Sequence, residues 1–317
     1  MVKGGDIPLS DVGGIKLSKL MLGTAQLGIS GYGIANRTGE VDARALLDRC
    51  AEHGINCFDT ALEYGDAELK LGRYFEGKRT PFIVSKLKTD PNLDEAALEK
   101  QMNERTETIL ERLKLRTLPA LMIHDPAVLE AYGERVSQVL NRLRRSGLIE
   151  RAGVSLGANS DEQFARCGRL LHDEIYETVQ LPLNLWDRRA VECGALRQFR
   201  EDGKIVIARS VFLQGLFFRT ADGLPEPLGT IAREALAKLG EIAETEGISV
   251  AELAMGYVRD TEGVHCLVIG AERPEQIDDN VRLLSGPVLS ERARQALETE
   301  FRNVPDILIT PAMWVQA

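Results

Sequence analysis

The sequence predicts an α/β fold, a (β/α)₈ TIM barrel formed by a single domain over residues 1–317. Eight short apolar segments alternate with amphipathic helical segments along the chain, and this alternation is typical of a parallel sheet. No linker-like segment interrupts the alternation, so closure of the eight units into a barrel is favoured over an open sheet. Hydrophobic residues make up 44% of the chain and charged residues 27%, as in ordinary globular domains.

A β-hairpin is predicted ahead of the barrel. The segment IPLSDVGGIKLS places two β-like runs on either side of Gly13 and Gly14, and paired glycines favour a tight hairpin turn. Each of the eight barrel strands is a short apolar run. They are the run LMLG ending at Gly23 and residues 55–59, 82–86, 118–124, 151–155, 177–181, 204–208 and 265–270.

The segments between the strands have the periodicity of helices. Two helical faces are formed by Leu98, Met102, Ile109 and Leu113 and by Val136, Val139, Leu140 and Leu143. Ser249 and Glu252 have the spacing of a capping box. Three stretches exceed ordinary βα loops and predict extra loops and helices at the C-terminal side of the barrel: 24–41, 210–228 and the tail after about 303.

Composition and charge narrow the class of function. The net charge of −9 argues against nucleic-acid or membrane partners, and no apolar run is long enough to span a bilayer. The N-terminal residues MVKGGDIPLS contain no apolar core of a signal peptide. The five scattered cysteines lack C-x-x-C spacing, which favours reduced thiols in a cytoplasmic protein and supports no metal site.

Ionisable residues follow three neighbouring predicted strands, at the barrel end where active sites lie. Asp59 ends the second strand and Tyr64 comes five residues later, while Lys86 and His124 end the third and fourth. Each residue alone has an ordinary structural explanation, but the group suits carbonyl reduction. Tyr64 donates the proton, Lys86 is expected to lower its pKa, Asp59 holds Lys86, and His124 orients the carbonyl.

The segments GTAQLG, FDTALEYG, SK, IHDP, GVS, VQLPLN, ARSVFLQGL and VIGAERPEQIDDN resemble the aldo-keto reductase superfamily, in the same order, over about residues 7–304. The resemblance implies a barrel that binds an extended nicotinamide cofactor without a Rossmann domain. It also implies that Asp59, Tyr64, Lys86 and His124 form the catalytic tetrad, with Asp59 close to the cofactor as well.

The resemblance assigns further residues to the cofactor. Those expected near the nicotinamide and pyrophosphate are Gly23, Thr24, Ser155, Gln180, Arg209, Ser210, Leu213 and Gly215. Leu156 stands where many members have Asn, and Arg209 replaces a stacking aromatic, although a guanidinium also stacks on rings. The loop 210–228 is expected to be mobile without cofactor and to order over the pyrophosphate.

The adenosine end of the site leaves the choice between NADP and NAD open. Many members place Lys and Arg against the 2′-phosphate where this chain has Gly270 and Gln276, and Asn280 matches an adenine-binding Asn. Arg273 can supply a positive charge, whereas Glu272 disfavours a phosphate.

The sequence therefore predicts an NAD(P)(H)-dependent oxidoreductase for an aldehyde or ketone, or a sugar, and its alcohol. Tyr64, His124 and Trp186 are expected to contact the small-molecule substrate; for Trp186 and Trp314, plain packing is an equal alternative. Two other functions stay open, a nicotinamide-binding regulatory module like potassium-channel β-subunits, and a lyase or isomerase that uses bound cofactor transiently. The segment Gly31-Tyr32-Gly33 is not a dinucleotide fingerprint, since Asn36 replaces its third glycine. The oligomeric state is not predicted.

Overall fold

The computed structural model describes residues 7–34 and 39–316. Most of the N-terminal segment and part of the stretch 24–41, including Asn36, lie outside the described residues. The chain begins with an antiparallel hairpin, whose strands β1 (Leu9–Val12) and β2 (Ile15–Ser18) join at Gly13 and Gly14. Both glycines have positive φ, which the tight turn requires. The predicted hairpin is confirmed.

Eight parallel strands follow and close into a barrel in chain order, with the last strand beside the first. They are β3 (Leu20–Gly23), β4 (Cys57–Asp59), β5 (Phe82–Leu87), β6 (Leu118–Ile123), β7 (Ile149–Ser155), β8 (Tyr176–Pro182), β9 (Ile205–Arg209) and β10 (Cys266–Gly270). All eight predicted strands are present, so the barrel predicted from the alternating pattern is confirmed.

The helices surround the barrel and add to its C-terminal side. They are α1 (Ala25–Gly28), α2 (Ala43–Glu52), α3 (Ala67–Phe75), α4 (Glu95–Leu113), α5 (Ala127–Arg145), α6 (Ser160–Leu171), α7 (Arg189–Glu192), α8 (Ala195–Glu201), α9 (Leu228–Glu246), α10 (Val250–Arg259), α11 (Pro274–Leu284), α12 (Glu291–Glu300) and α13 (Asp306–Ile309). Short 3₁₀ turns lie at Leu213–Phe218, Ala221–Gly223 and Pro311–Gln316. The predicted capping box of Ser249 and Glu252 starts α10.

Strand starts differ from the prediction by up to two residues: β4 begins at Cys57 rather than at residue 55, and β7 begins at Ile149 rather than at residue 151. The charged pair Glu150 and Arg151 hides the start of this strand in the sequence. Arg151 lies 3.5 Å from Glu177 of the neighbouring strand, so its charge is paired across the sheet. A strand end at the rim of a barrel accommodates such a pair because the side chains reach solvent.

The N-terminal end of the barrel is filled with side chains. Leu17 of β2 is fully buried and belongs to an apolar cluster with Met21, Cys57, Met122 and Cys266 from the barrel strands. Because the hairpin contributes to this packing, it closes the end of the barrel opposite the predicted site. Among the described residues, no helix combines the length and the apolar character needed to cross a bilayer.

Candidate active site

The predicted tetrad meets at the C-terminal end of the barrel. Asp59 is the last residue of β4, Lys86 is the penultimate residue of β5, and His124 follows β6 directly. Tyr64 lies in the turn between β4 and α3. Parallel strands deliver their ends to one rim, which explains how residues 65 positions apart in the chain become neighbours.

An ion pair lies at the base of this group. The Lys86 Nζ atom is 2.5 Å from Asp59 Oδ1 and also donates a hydrogen bond to the Thr60 carbonyl oxygen at 3.0 Å. The Lys86 side chain is fully buried and that of Asp59 is 6% exposed. The same carboxylate oxygen accepts from Gln180 Nε2 at 2.6 Å. Asp59 therefore holds two donors from opposite sides of the site.

Tyr64 lies above the ion pair. Lys86 Nζ is 5.2 Å from the centre of the Tyr64 ring, and the His124 ring stands nearly perpendicular to that ring at 6.0 Å between centroids. The turn that carries Tyr64 is fixed by a close backbone approach. A Cβ atom on Gly28 would lie 1.9 Å from the Tyr64 carbonyl oxygen, and Gly65 has a φ of +55°. Glycine is therefore required at both positions.

The acid–base state of the site differs from the sequence prediction. Burial raises the pKa of Tyr64, and the Asp59 carboxylate raises it further, against a smaller lowering by Arg209. Burial lowers the pKa of Lys86, while Asp59 opposes that change. Lys86 is expected to lower the pKa of Tyr64, but burial and the Asp59 charge outweigh that effect here, so the net direction is upward.

The residues assigned to the nicotinamide carboxamide form a chain of hydrogen bonds. Ser155 Oγ donates to Gln180 Oε1 at 3.2 Å, and Gln180 in turn donates to Asp59. Thr24 directs its backbone N–H and its hydroxyl to the Asp59 carbonyl oxygen, both at 2.9 Å. Ser155, Gln180 and Thr24 are buried. They fix the backbone and side chain of Asp59 in this structure.

The Arg209 guanidinium spans the gap between two strand ends. Its Nη2 atom donates to the Leu156 carbonyl oxygen at 2.8 Å, and its Nη1 atom donates to Ser210 Oγ at 3.2 Å. The loop that follows is strained, since Ser210, Leu213 and Gln214 all have positive φ. Non-glycine residues in this region cost free energy and cluster at ligand sites.

A cleft of about 840 Å³ runs from Tyr64 to the last barrel strand. Ten of the predicted site residues line it: Gly23, Asp59, Tyr64, Arg209, Ser210, Gly215, Gly270, Arg273, Gln276 and Asn280. This volume lies within the range of about 300–1,000 Å³ found for small-molecule and cofactor sites. Lys86, Thr24, Ser155, Gln180, His124 and Leu213 do not line the cleft itself.

The far end of the cleft is built by the start of α11. Gln276 Oε1 accepts the backbone N–H groups of Glu272 and Arg273, at 2.7 and 3.0 Å, so its carboxamide caps the helix. Arg273 is exposed at the cleft, whereas Asn280 is only 8% exposed. Arg273 is one of three arginines that line the cleft, with Arg209 and Arg219, and it lies at the start of α11.

Neither tryptophan lies in the cleft lining. Trp186 is 2% exposed and packs its ring perpendicular to Phe217 at 4.9 Å, with Phe301 on another side. Trp314 is 7% exposed and donates its indole N–H to the Ile307 carbonyl oxygen. The expectation that Trp186 contacts substrate is not supported by this geometry, because the aromatic cluster encloses the ring.

Three residues at the site were not selected from the sequence. Tyr32 lines the cleft close to Tyr64 and Arg209, and burial raises its pKa. Gln26 covers Gly270, where an added Cβ would lie 2.0 Å from the Gln26 amide nitrogen. Glu63 contacts His124 Nδ1 at 3.1 Å. In the sequence, Gln26 and Tyr32 were indicated only by the unusual length of the stretch 24–41, and Glu63 only by its position beside Tyr64.

Over residues 7–34 and 39–316, no three His, Cys, Asp or Glu side chains come close enough together to hold a metal ion. The site instead offers a phenol, a shielded ammonium, an imidazole and a cleft with cations along one side.

The chain is similar in sequence to proteins of two bacteria and a plant. The chain is 26% identical to the aldo-keto reductase YhdN of Bacillus subtilis over 92% of each chain. It is 26% identical to L-glyceraldehyde 3-phosphate reductase of Escherichia coli O157:H7, over 81% of this chain and 84% of that one. It is also 24% identical to a probable voltage-gated potassium channel subunit beta of Arabidopsis thaliana, over 90% and 95%.

A solved structure of an aldo-keto reductase has a fold similar to that of this chain. The holo form of the aldo-keto reductase AKR11C1 from Bacillus halodurans superposes with a TM-score of 0.73, covering 92% of this chain and 96% of that one at 21% identity. The sequence model of the aldo/keto reductase family matches residues 19–299. That range takes in all eight barrel strands and the whole tetrad, and the chain therefore belongs to the aldo/keto reductase family.

Proposed function

We propose that this protein is an NAD(P)(H)-dependent oxidoreductase that interconverts a small aldehyde or ketone, of sugar type, and its alcohol. The observation that carries the proposal is the buried Asp59–Lys86 pair beneath Tyr64, at the inner end of a long cleft. A buried ion pair is costly to maintain for stability alone. Its position under a phenol at a barrel rim supports a role in proton transfer.

Tyr64 is the proton donor in this proposal. Its raised pKa keeps the phenol protonated near neutral pH, so it can donate a hydrogen bond and then a proton to a carbonyl oxygen. As charge develops on that oxygen, the ammonium of Lys86 stabilises the phenolate that remains on Tyr64. Asp59 keeps Lys86 charged in a buried position, since it opposes the effect of burial on the lysine pKa.

The residues along the cleft fit a nicotinamide cofactor, which would supply or accept the hydride when bound. Ser155 and Gln180, which are buried beside Asp59 and do not line the cleft in this structure, carry the hydroxyl and amide groups that would hold its carboxamide. Arg209 presents a planar guanidinium that can stack on a ring. The loop Ser210–Gly215 would cover the pyrophosphate, and Asn280 would contact the adenine.

The cofactor preference proposed here is a weak one for NADP over NAD. Gly270 offers no charge and Gln276 is engaged in capping α11, so Arg273 is the cation left to attract a 2′-phosphate. The neighbouring Glu272 also lines the cleft and opposes that attraction. Both cofactors should therefore bind with similar affinity.

A regulatory module is the second candidate, because one relative is named as a potassium channel subunit beta. The intact tetrad favours the enzyme, since a binding module has no need of a buried lysine under a phenol. The sugar-type substrate is supported by the relative named as L-glyceraldehyde 3-phosphate reductase.

The Tyr64→Phe variant tests the proposal because it removes one hydroxyl and keeps the ring. We expect turnover of a carbonyl substrate, glyceraldehyde with NADPH or NADH, to fall by roughly 10²–10⁴-fold. Cofactor affinity, measured by fluorescence titration, should stay within a factor of about two. The Tyr132→Phe variant, on α5, is the matched control and should keep full turnover. Full turnover in the Tyr64→Phe variant would refute the assigned role.

A further inference from the structure

Glu63 stands between two charged groups at the mouth of the site. Its Oε2 atom is 3.1 Å from His124 Nδ1, and its Oε1 atom accepts from Arg105 Nη1 of α4 at 2.8 Å. The three side chains are about one-third exposed or less, at 31% for Glu63, 34% for Arg105 and 25% for His124. Both carboxylate oxygens are thus engaged, and Arg105 restrains the carboxylate that faces the imidazole.

The ionised state of Glu63 agrees with this geometry. Burial by itself raises the pKa of Glu63, but the hydrogen bond from His124, a backbone hydrogen bond and the charge of Arg105 lower it. The group is therefore a carboxylate across the neutral range, and a carboxylate only accepts hydrogen bonds.

The contact decides which nitrogen of His124 carries the proton. At 3.1 Å the Nδ1 atom must donate to the carboxylate, because two lone pairs would otherwise face each other. A neutral imidazole has one N–H, so Nε2 is left as an acceptor. Within the described residues, no protein group bonds to Nε2. A carbonyl oxygen cannot donate a hydrogen bond to the acceptor Nε2, whereas a hydroxyl group of a substrate can.

We propose that Glu63 is a positioning residue that makes neutral His124 a hydrogen-bond acceptor, and that the site thereby selects carbonyl substrates with a hydroxyl on the adjacent carbon. The carbonyl oxygen takes its hydrogen bond from Tyr64, and the neighbouring hydroxyl donates to His124 Nε2. This inference rests on the proposed function for its substrate, but the proton position on His124 is a property of the protein alone.

The first measurement is the nitrogen NMR spectrum of the His124 ring, recorded on the whole protein at a pH where the ring is neutral. We expect a pyrrole-type Nδ1 and a pyridine-type Nε2 in the wild type. In the Glu63→Gln variant the amide can donate to Nδ1 instead, so the spectrum should shift toward the Nε2–H form. A protonated Nε2 in the neutral wild-type ring would overturn the proposal, whether or not the protein turns over any carbonyl.

The second measurement compares glycolaldehyde with acetaldehyde, which differ by one adjacent hydroxyl. The ratio of their kcat/KM values should fall by roughly 3- to 10-fold in Glu63→Gln relative to wild type, the scale of one hydrogen bond. The control is Glu99→Gln on α4, which removes a carboxylate of similar exposure that pairs with Arg135 and Arg142 away from the site. That variant should leave the ratio unchanged.

The outcomes separate this inference from the proposed function. An unchanged ratio in Glu63→Gln, with turnover present, would remove the specificity role. If the wild type turned over no carbonyl substrate, the proposed function would be refuted. The nitrogen NMR spectrum would still decide whether Glu63 sets the proton position on His124. A merely structural role for Glu63 would lower kcat/KM for both aldehydes alike and leave the tautomer as it is.

Discussion

At the scale of single residues, the Asp59–Lys86 pair has the largest energetic consequence. Lys86 cannot reach water, and Asp59 barely can, so each charge depends on the other. Removing one partner of a buried pair leaves an uncompensated charge and typically costs about 3–5 kcal/mol. The stability of the folded barrel therefore depends on Lys86 and Asp59 being present together.

The Lys86→Met variant should lower the free energy of unfolding by about 3–5 kcal/mol, measured by urea denaturation. Adding Asp59→Asn should recover part of that loss, because the double variant has no buried charge left at this point. The control Lys100→Met breaks an exposed pair with Glu104 and should change stability by less than about 0.5 kcal/mol. Additive losses in the double variant would contradict this account.

Arg273 permits a second prediction at this scale. Arg273→Ala should weaken NADPH binding by roughly tenfold, the scale of one hydrogen bond to a charged group, and NADH binding much less. The control Arg282→Ala removes an exposed arginine of the same helix, which pairs with Asp279, and should affect neither cofactor. Equal weakening of both cofactors by Arg273→Ala, in isothermal titration, would show that Arg273 does not distinguish them.

The sequence predicted Asp59, Lys86 and His124 because each stands at or next to a strand end, and strand ends are readable from apolar runs. Tyr64 was predicted from its motif in the turn that follows β4. The sequence did not predict Glu63 or Gln26, since their roles depend on which atoms their side chains reach across loops. The direction of the Tyr64 pKa was also predicted wrongly, because burial and the Asp59 charge enter only through three-dimensional packing.

At the scale of elements, α3 connects the turn that carries Tyr64 to the protein interior. Glu68, in its first turn, is fully buried and accepts a hydrogen bond from Ser85 at 2.6 Å. Its other oxygen has no hydrogen-bond partner among the described residues. Burial raises the pKa of Glu68 to about 7, although Ser85 and Arg112 act to lower it. Arg112 also bonds to the carbonyl oxygens of Leu62 and Gly65, next to Tyr64.

The raised pKa of Glu68 sets a direction for stability against pH. Between the ordinary pKa of 4.5 and about 7 the folded state holds a proton that the unfolded state releases, so stability falls as pH rises through this window. Glu68→Gln removes that dependence and keeps the bond to Ser85. At pH 8 we expect the variant to unfold at a higher temperature than wild type, with a free energy of unfolding that is larger by on the order of 1–3 kcal/mol.

The same comparison at pH 4.5 is the internal control, because both proteins then carry a neutral group at residue 68. The Glu104→Gln variant, at an exposed position of α4, should follow wild type at both pH values. A difference between Glu68→Gln and wild type that is equal at pH 4.5 and pH 8 would contradict the assigned ionisation.

The sequence predicted the presence of the strands and main helices more reliably than the residues at which they begin and end. Apolar periodicity placed the strands and the main helices because it records which faces are buried. The start of β7 and the short helices α7 and α13 were not predicted, since charged pairs and four-residue turns leave no periodic signal. The three long stretches at the C-terminal rim were located by length, but their conformations depend on contacts with the barrel.

At the scale of the whole molecule, the barrel separates a stable end from an adaptable one. The hairpin and the apolar cluster around Leu17 close the N-terminal end, while the strained loop after Ser210 and the turns up to Gly223 lie at the other. The contacts of this loop offset its backbone strain, and a bound pyrophosphate would add further contacts. Cofactor binding should therefore change the loop far more than the barrel.

Hydrogen exchange with and without NADPH tests this expectation. Amides of the loop 210–228 should exchange more slowly in the complex, whereas those of β1 and β2 should not change. The protein should also melt at a higher temperature in proportion to the logarithm of cofactor concentration. Equal exchange of the loop in both states would show that this segment is not a lid.

The contact between Gln26 and Gly270 links the last barrel strand to α1. An added Cβ at residue 270 would meet the end of the Gln26 side chain, which is flexible enough to turn away. A basic residue at 270 would therefore displace Gln26, and the effects of substitutions at residues 26 and 270 should be non-additive. A laboratory selection for a second phosphate-binding cation here should favour changes at residue 26 alongside those at residue 270.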